Sequence, residues 1–389
     1  MIGQAQSPEK LRVIVAGGGV AALETTLALA DLAGDRVELT VIAPNSEFVY
    51  RPMTVREPFA YAAANRYPLA LILGGTGATL FSDELAWVDP AKQTIHTKAD
   101  RPIEYDALML ALGANVIPRY RHALTIDDQQ LEGTLHGLIQ DIEGGYIQSL
   151  AFVSPGRMAW PMPMYELALM TAGRAYEMDV ELSISLVTPE DSPLAIFGAA
   201  ASNAVGELLQ RAKIRVFNSA YAEIPTRGQV VINPGDHRLQ VDRVIALPEL
   251  YGPSLRGVPL GEHGFIRVNP YGQVADVGPI YAAGDATEFA IKHGGIASQQ
   301  ADTAAQSIAA LAGAPLTPEP FHPVIHGMLL TDGKPLYLTA QITGGHGFSS
   351  EITDTPTWSP ASKIAAKYLA PCLEEYDNKA ASAKAASAR

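Results

Sequence analysis

The chain reads as an α/β protein with two separate three-layer units on mostly parallel sheets, followed by a small C-terminal segment. Three observations predict this. The apolar run Leu11 to Ala16 breaks on Gly17-Gly18-Gly19 and enters a helical stretch to Leu32. The same order of strand, glycine turn and helix returns between Leu150 and Tyr176. A third apolar run, Ile280 to Ala283, ends on Gly284-Asp285 and is again followed by a helix.

The first turn has the chemistry of a phosphate site. Gly17, Gly19 and Ala22 occupy the positions of G-x-G-x-x-[GA]; with Val20 and Ala21 they bring the free N–H groups of a helix start to a pyrophosphate. Such a turn can also be mere packing. The late Gly284-Asp285 step adds what the first turn lacks. Gly284 lets the backbone approach a ligand, and Asp285 supplies an acceptor for a ribityl hydroxyl, whereas an ordinary Gly-Asp turn explains neither the apolar run before it nor the helix after it. Together the two read as one FAD site in a Rossmann-like dinucleotide-binding domain.

The remaining elements follow in order. After the Gly34 stop, Val37 to Ala43 forms the second strand of a βαβ unit. Its last residue is Ala43, where dinucleotide units place a ribose-binding acid; Asn45, Ser46 or Glu47 are the substitutes at hand. Tyr50, Arg51 and Pro52 follow, with Arg51 either on the FAD pyrophosphate or a surface arginine. Strand signals span Ala86 to Thr97, and the apolar run Tyr105 to Ala114 ends on Gly113. The second unit comprises a strand from Leu150, the Ser154-Pro155-Gly156 turn, a loop to Met164, a helix from Tyr165 to Tyr176 and a strand from Glu181 to Val187. The chain returns to the first domain near Phe265, with a helix from Gly295 to Leu311. A hairpin is expected at Asp332-Gly333. The expected division is 1–125 with 265–325 for the FAD domain, 126–264 for a second nucleotide-binding-like domain, 326–376 for a hairpin and helix segment, and 377–389 for a tail of frayed helix or disorder.

Composition narrows the function. At 389 residues, 48% hydrophobic and 18% charged, the chain has a globular enzyme's balance. A net charge of −13 argues against nucleic acid and against electrostatic docking to anionic lipid. The single cysteine, Cys372, excludes an intrachain disulfide, a C-x-x-C pair and a cysteine metal cage. Redox chemistry must therefore run on a cofactor. His322, His326 and His346 are too scattered for a metal site. With neither a signal segment nor an apolar run long enough to span a bilayer, the expected location is cytoplasmic, with room for peripheral membrane contact and a homodimer.

In this order, the residues resemble the two-dinucleotide-domain flavoproteins of the pyridine nucleotide-disulfide oxidoreductase superfamily. Within it, the branch of sulfide:quinone oxidoreductases, flavocytochrome sulfide dehydrogenases and type II NADH dehydrogenases is the most similar. The stretch Trp160-Pro161-Met162-Pro163-Met164-Tyr165-Glu166 resembles the branch's C-x-x-P-x-Y-E, with Trp160 where the sulfur-handling cysteine stands. An indole cannot act as a thiolate. The NADH-binding G-x-G-x-x-G of the type II dehydrogenases is reduced here to Ser154-Pro155-Gly156-Arg157.

The resemblance also implies site roles. It aims the start of the helix after Lys292-His293-Gly294-Gly295, which carries Gln299, at the flavin's pyrimidine edge, where Lys292 and the helix dipole would stabilise negative charge; a solvated lysine is the plain alternative. Glu166, read as lying in a first helical turn, shuttles a proton, contacts a nicotinamide or merely answers the macrodipole. Trp160 lines the ring's substrate side or fills core. The expected activity is FAD-dependent electron transfer through flavin N5 between NAD(P)H or another small reductant and a quinone-like acceptor, without a protein thiol. The alternatives are a flavoprotein without turnover and one serving a protein carrier.

Overall fold

The computed structural model describes residues 9–60, 63–128, 130–157, 160–343 and 346–387. Its helices are α1 (Val20–Leu32), α2 (Leu69–Leu73), α3 (Leu131–Glu143), α4 (Met162–Glu177), α5 (Gly198–Arg211), α6 (Gly294–Leu311) and α7 (Leu369–Ser387).

Two five-stranded parallel sheets form the frame. In the first, Leu11–Ala16 lies centrally between Val37–Ala43 and Ala107–Leu110, with Thr79–Ser82 and Ile280–Ala282 at the edges. The late strand thus joins the sheet that the N-terminal strand begins, although Ala16 and Ile280 lie 264 positions apart in sequence. Leu11–Ala16 and Ala107–Leu110 read as near-continuous apolar runs because helices or sheet cover both faces. α1 and α6 pack against each other along one face, where Leu23, Ala28, Ala301 and Ala305 are buried.

The second sheet places Ser149–Val153 at its centre between Ser183–Val187 and Arg243–Ala246, with Leu124–Thr125 and Arg215–Phe217 outside. Each parallel sheet has a three-stranded antiparallel companion. The two-unit α/β architecture expected from the glycine turns is therefore present. Asn115–Ile117 and Glu249–Tyr251, where the chain leaves and re-enters, pair antiparallel.

A third antiparallel sheet follows α6: Val324–Leu329, Leu336–Thr343 and His346–Thr353. Its first two strands form the hairpin around Asp332-Gly333. From Asn378 the chain continues in α7 as far as Ser387, through alanine-rich sequence of high helix propensity. The last two residues lie outside the described region. No helix among the described residues is long and apolar enough to cross a membrane.

α4 begins three residues before the expected Tyr165. Pro161 precedes the helix and Pro163 falls in its first turn, where proline's fixed φ suits a helix start and its missing N–H is not needed. Glu166 accordingly falls beyond the first turn, which holds no acidic residue. The macrodipole does not account for it.

Candidate functional site

The two glycine motifs meet in space. Gly17 has φ +136°, and its N–H donates to Ile42 O at 2.8 Å. A Cβ there would lie 2.2 Å from Ala111 O, so only glycine fits the turn. Gly284 has φ +75°, and a Cβ on it would lie 3.2 Å from Ala21 Cβ and 3.3 Å from Ala297 Cβ. The late motif thus touches the first turn of α1 on one side and α6 on the other.

α1 leaves its N-terminus open to a ligand. Gly19 caps it without a side chain and is exposed; no acidic residue lies in the first turn. The amides of Val20, Ala21 and Ala22 are therefore unclaimed by any capping side chain. Ala43 is 1% exposed and packed under Gly18, whose Cβ position lies 3.0 Å from Ala43 Cβ. That contact leaves no room for an acid at the strand end, while Asn45, Ser46 and Glu47 are exposed beside it.

Charged groups gather at the late motif. Asp285 lies close enough to Lys292, Asp128 and Arg51 to feel each charge; burial raises its pKa, Lys292 and Arg51 oppose the rise, and Asp128 adds to it. Arg51 pairs with Asp128 at 3.5 Å, both side chains being about half exposed. Lys292 turns back onto its own loop. Its ammonium donates to Asp285 O at 3.2 Å and to Thr287 O, and sits 4.0 Å from the Phe265 ring centroid. Burial lowers it to about 8, against Asp285 and Glu288.

The start of α6 is capped by His293, whose Nδ1 accepts the Gly295 N–H at 3.2 Å. That bond leaves any ring proton on Nε2. Burial, with help from His326 and Lys363, lowers His293 to about 3, so the ring is neutral. Trp160 packs on it at 4.6 Å between ring centroids and meets Phe197 edge-on at 5.8 Å. Gln299 is committed to structure: its amide donates to Val324 O and accepts the Val324 N–H, at 2.8 and 2.9 Å. Gly113, at φ +73°, has open space beside it, and Gly295 is buried beneath the His293 ring.

Glu166 is 1% exposed and forms an ion pair with Lys363 at 2.6 Å, while also accepting the Leu330 N–H at 2.8 Å. Lys363 donates as well to Pro52 O at 3.0 Å. This knot joins α4, the third sheet, the Arg51–Phe59 turn and the segment before α7. Burial drives both groups toward neutrality, raising Glu166 and lowering Lys363, and their mutual attraction opposes this.

In the second unit, the glycine turn is covered. A Cβ on Gly156 would lie 2.9 Å from the Tyr221 ring, and Arg157 stacks on Tyr251 at 4.5 Å. Glu190, just past the second strand, accepts from Tyr165 Oη at 2.7 Å and Thr188 Oγ1 at 3.1 Å. Cys372 is half-buried on α7, and burial raises its thiol. No group of three or more metal-ligating side chains occurs among the described residues.

Sequence reading assigns no individual role to Lys363, Glu24 or Asp302. The signals for the first two are a lysine between two prolines in an apolar stretch and an acid on the buried face of α1. Their partners come from elsewhere in the chain, so no local spacing shows them.

Residues 166–305 match the family described as pyridine nucleotide-disulphide oxidoreductase. No curated protein sequence matches the chain. Among solved structures, the sulfide:quinone oxidoreductase of the hyperthermophilic bacterium Aquifex aeolicus is similar over 89% of this chain and 87% of its own, with TM-score 0.77 and 18% identity. The ferredoxin reductase for the CYP199A2 system of Rhodopseudomonas palustris covers 86% and 83%, with TM-score 0.65 and 17% identity. NDH2 from Plasmodium falciparum, in complex with NADH, covers 72% and 65%, with TM-score 0.59 and 17% identity. The chain shares the fold of these oxidoreductases, and its residues 166–305 are similar to the pyridine nucleotide-disulphide oxidoreductase family.

Proposed function

We propose that this protein is an FAD-dependent oxidoreductase passing electrons from NAD(P)H or another small reductant to a quinone-like acceptor without a protein thiol. The observation that carries the reading is the junction of Gly284 with Ala21 and Ala297, beside an uncapped α1 start. Next to Gly284, the half-buried Asp285 carboxyl lies among the charges of Lys292, Arg51 and Asp128.

Gly17, Gly19, Val20, Ala21 and Ala22 would hold the pyrophosphate, with Arg51 and Pro52 flanking it and Gly113 leaving clearance. Gly284 and Asp285 would hold the ribityl chain. Bound FAD supplies the two-electron chemistry that this chain's side chains lack. The α6 start, with Gly295 and a neutral His293, provides dipole and amide donors for charge that develops beside it. Lys292 supports that role by ordering the Asp285–Thr287 loop. Trp160 offers an aromatic face in place of a thiol. Glu166 acts through Lys363, as a positioning group.

The structural neighbours named for a quinone and for NADH motivate the two carriers. The covered Gly156 turn and the engaged Glu190 favour a second reading, a flavoprotein that serves a protein carrier instead of taking a nicotinamide. An anaerobic titration followed by flavin absorbance separates them. Bleaching by NADH or NADPH supports the first reading; bleaching only by dithionite or a co-purifying protein supports the second; a purified protein that takes up no FAD overturns both.

A further inference from the structure

The segment before α7 lies across α6 as a strap, and its anchorage is chemically unusual. Glu24, fully buried in α1, accepts three amides at the start of α7: Lys367 N–H at 2.7 Å and Tyr368 N–H at 2.9 Å on Oε1, and Leu369 N–H at 2.6 Å on Oε2. A carboxylate at a helix N-terminus is well placed for both the amides and the dipole. Upstream, Ser298 Oγ donates to Ala365 O at 3.0 Å, the Ile364 N–H donates to Tyr50 Oη at 2.9 Å, and Ile364 packs 3.0 Å from the Cβ position of Gly294. The strap thereby covers the α6 start and delivers Lys363 to Glu166.

Asp302 of α6 stands within hydrogen-bonding reach of Glu24. Two carboxyl groups can bond only through a proton. Both Glu24 oxygens already accept amides, which puts that proton on Asp302. Asp302 Oδ1 is buried and takes no hydrogen bond from a donor among the described residues.

We propose that Glu24 and Asp302 form a one-proton clasp that holds the strap, Ser362–Lys367 with the first turn of α7, against α1 and α6. Loss of the proton sets two carboxylates face to face and loosens the amides that Glu24 holds. A pocket of about 290 Å³ bounded by Ser298, Asp302, His326, Ser359 and Lys367 gives solvent a route to Asp302.

The surrounding groups do not neutralise the second charge. Lys367 faces the pair from the strap but is shared with Asp31 of α1 and the Tyr368 hydroxyl. His326, on the third sheet, is shifted toward neutrality by burial, and Cys372 on α7 carries a raised thiol. Burial first and Glu24 second raise Asp302 to about 8. The proton is therefore bound more tightly with the clasp closed than open. Opening grows easier as pH climbs from the ordinary carboxylate range to about 8, by up to tenfold per pH unit, and levels off above.

Hydrogen exchange of the intact chain, read by mass spectrometry on the peptide spanning 362–375 and corrected for intrinsic exchange, tests the clasp. The expected wild-type result is opening that rises several-fold per unit from pH 5 to 8 and then flattens. Asp302→Asn, whose amide donates to Glu24 at every pH, should remove the slope and keep protection. Glu24→Gln should raise opening throughout. A wild type with no slope, or a slope unchanged in Asp302→Asn, overturns the proposal. Should Asp302→Asn fail to fold, Glu24→Gln decides it: protection equal to wild type from pH 5 to 8 in that variant refutes the clasp.

Discussion

Replacing Lys363 by methionine tests the buried knot that joins α4 to the C-terminal strap. The substitution keeps the apolar stem but removes an ammonium 2.6 Å from Glu166 Oε1 and 3.0 Å from Pro52 O, in a pair whose side chains are 6% and 1% exposed. Breaking one partner of such a pair strands a charge, at about 3–5 kcal/mol. The stranded carboxylate can relieve itself by taking a proton. Burial already raises Glu166 and Lys363 opposes that rise, so the variant's carboxyl titrates higher still. A carboxyl raised in the folded state gives stability at low pH and loses it as pH climbs toward its folded value. The Lys363→Met defect should therefore grow between pH 5.5 and 8, at up to about 1.4 kcal/mol per unit. Adding Glu166→Gln keeps an acceptor for the Leu330 N–H and removes the charge, so the double variant should return to within about 2 kcal/mol of wild type. Denaturant unfolding at both pH values, followed by tryptophan fluorescence, measures all three. A single variant within about 1 kcal/mol of wild type at pH 8, or a double variant no better than the single, refutes the reasoning.

Other expectations follow from the same contacts. Gly17→Ala forces a Cβ to within 2.2 Å of Ala111 O at a positive φ; it should cost about 3 kcal/mol or more and abolish FAD retention on gel filtration. His293 near 3 means the unfolded chain gains a proton below about pH 6.5 that the folded chain refuses, so acid should erode stability from there to about pH 3. His293→Asn, which keeps a capping acceptor, should flatten that slope in thermal unfolding. Cys372→Ser should leave the turnover rate of a reconstituted flavoenzyme within about twofold, since the thiol sits on α7 among core residues; loss of turnover would end the thiol-free mechanism.

Much of the architecture was legible along the chain. Apolar runs broken by Gly17 and Gly284 announce strands because a parallel sheet is buried on both faces and carries no polar alternation. The first helix and its strand, Val20–Leu32 and Val37–Ala43, lie where the spacing put them. Glu166 illustrates the limit of local reading. Its place after Tyr165 suggested a helix start, but prolines set the helix back to Met162, and the carboxylate turns instead to Lys363, 197 residues away. Gln299 bonds the Val324 backbone, a partner 25 residues on that local spacing does not show.

By itself, the amino-acid order determined what periodicity and steric rules can express: two strand, glycine and helix units, a late acid at a tight turn, and the absence of a second thiol. Only the tertiary structure decided which charges are buried together. Glu24 with Asp302, Glu166 with Lys363 and His293 under Trp160 each join residues from distant elements. Burial multiplies the cost of an unpaired charge, so the partner that packing supplies, and not the residue type, sets protonation and role.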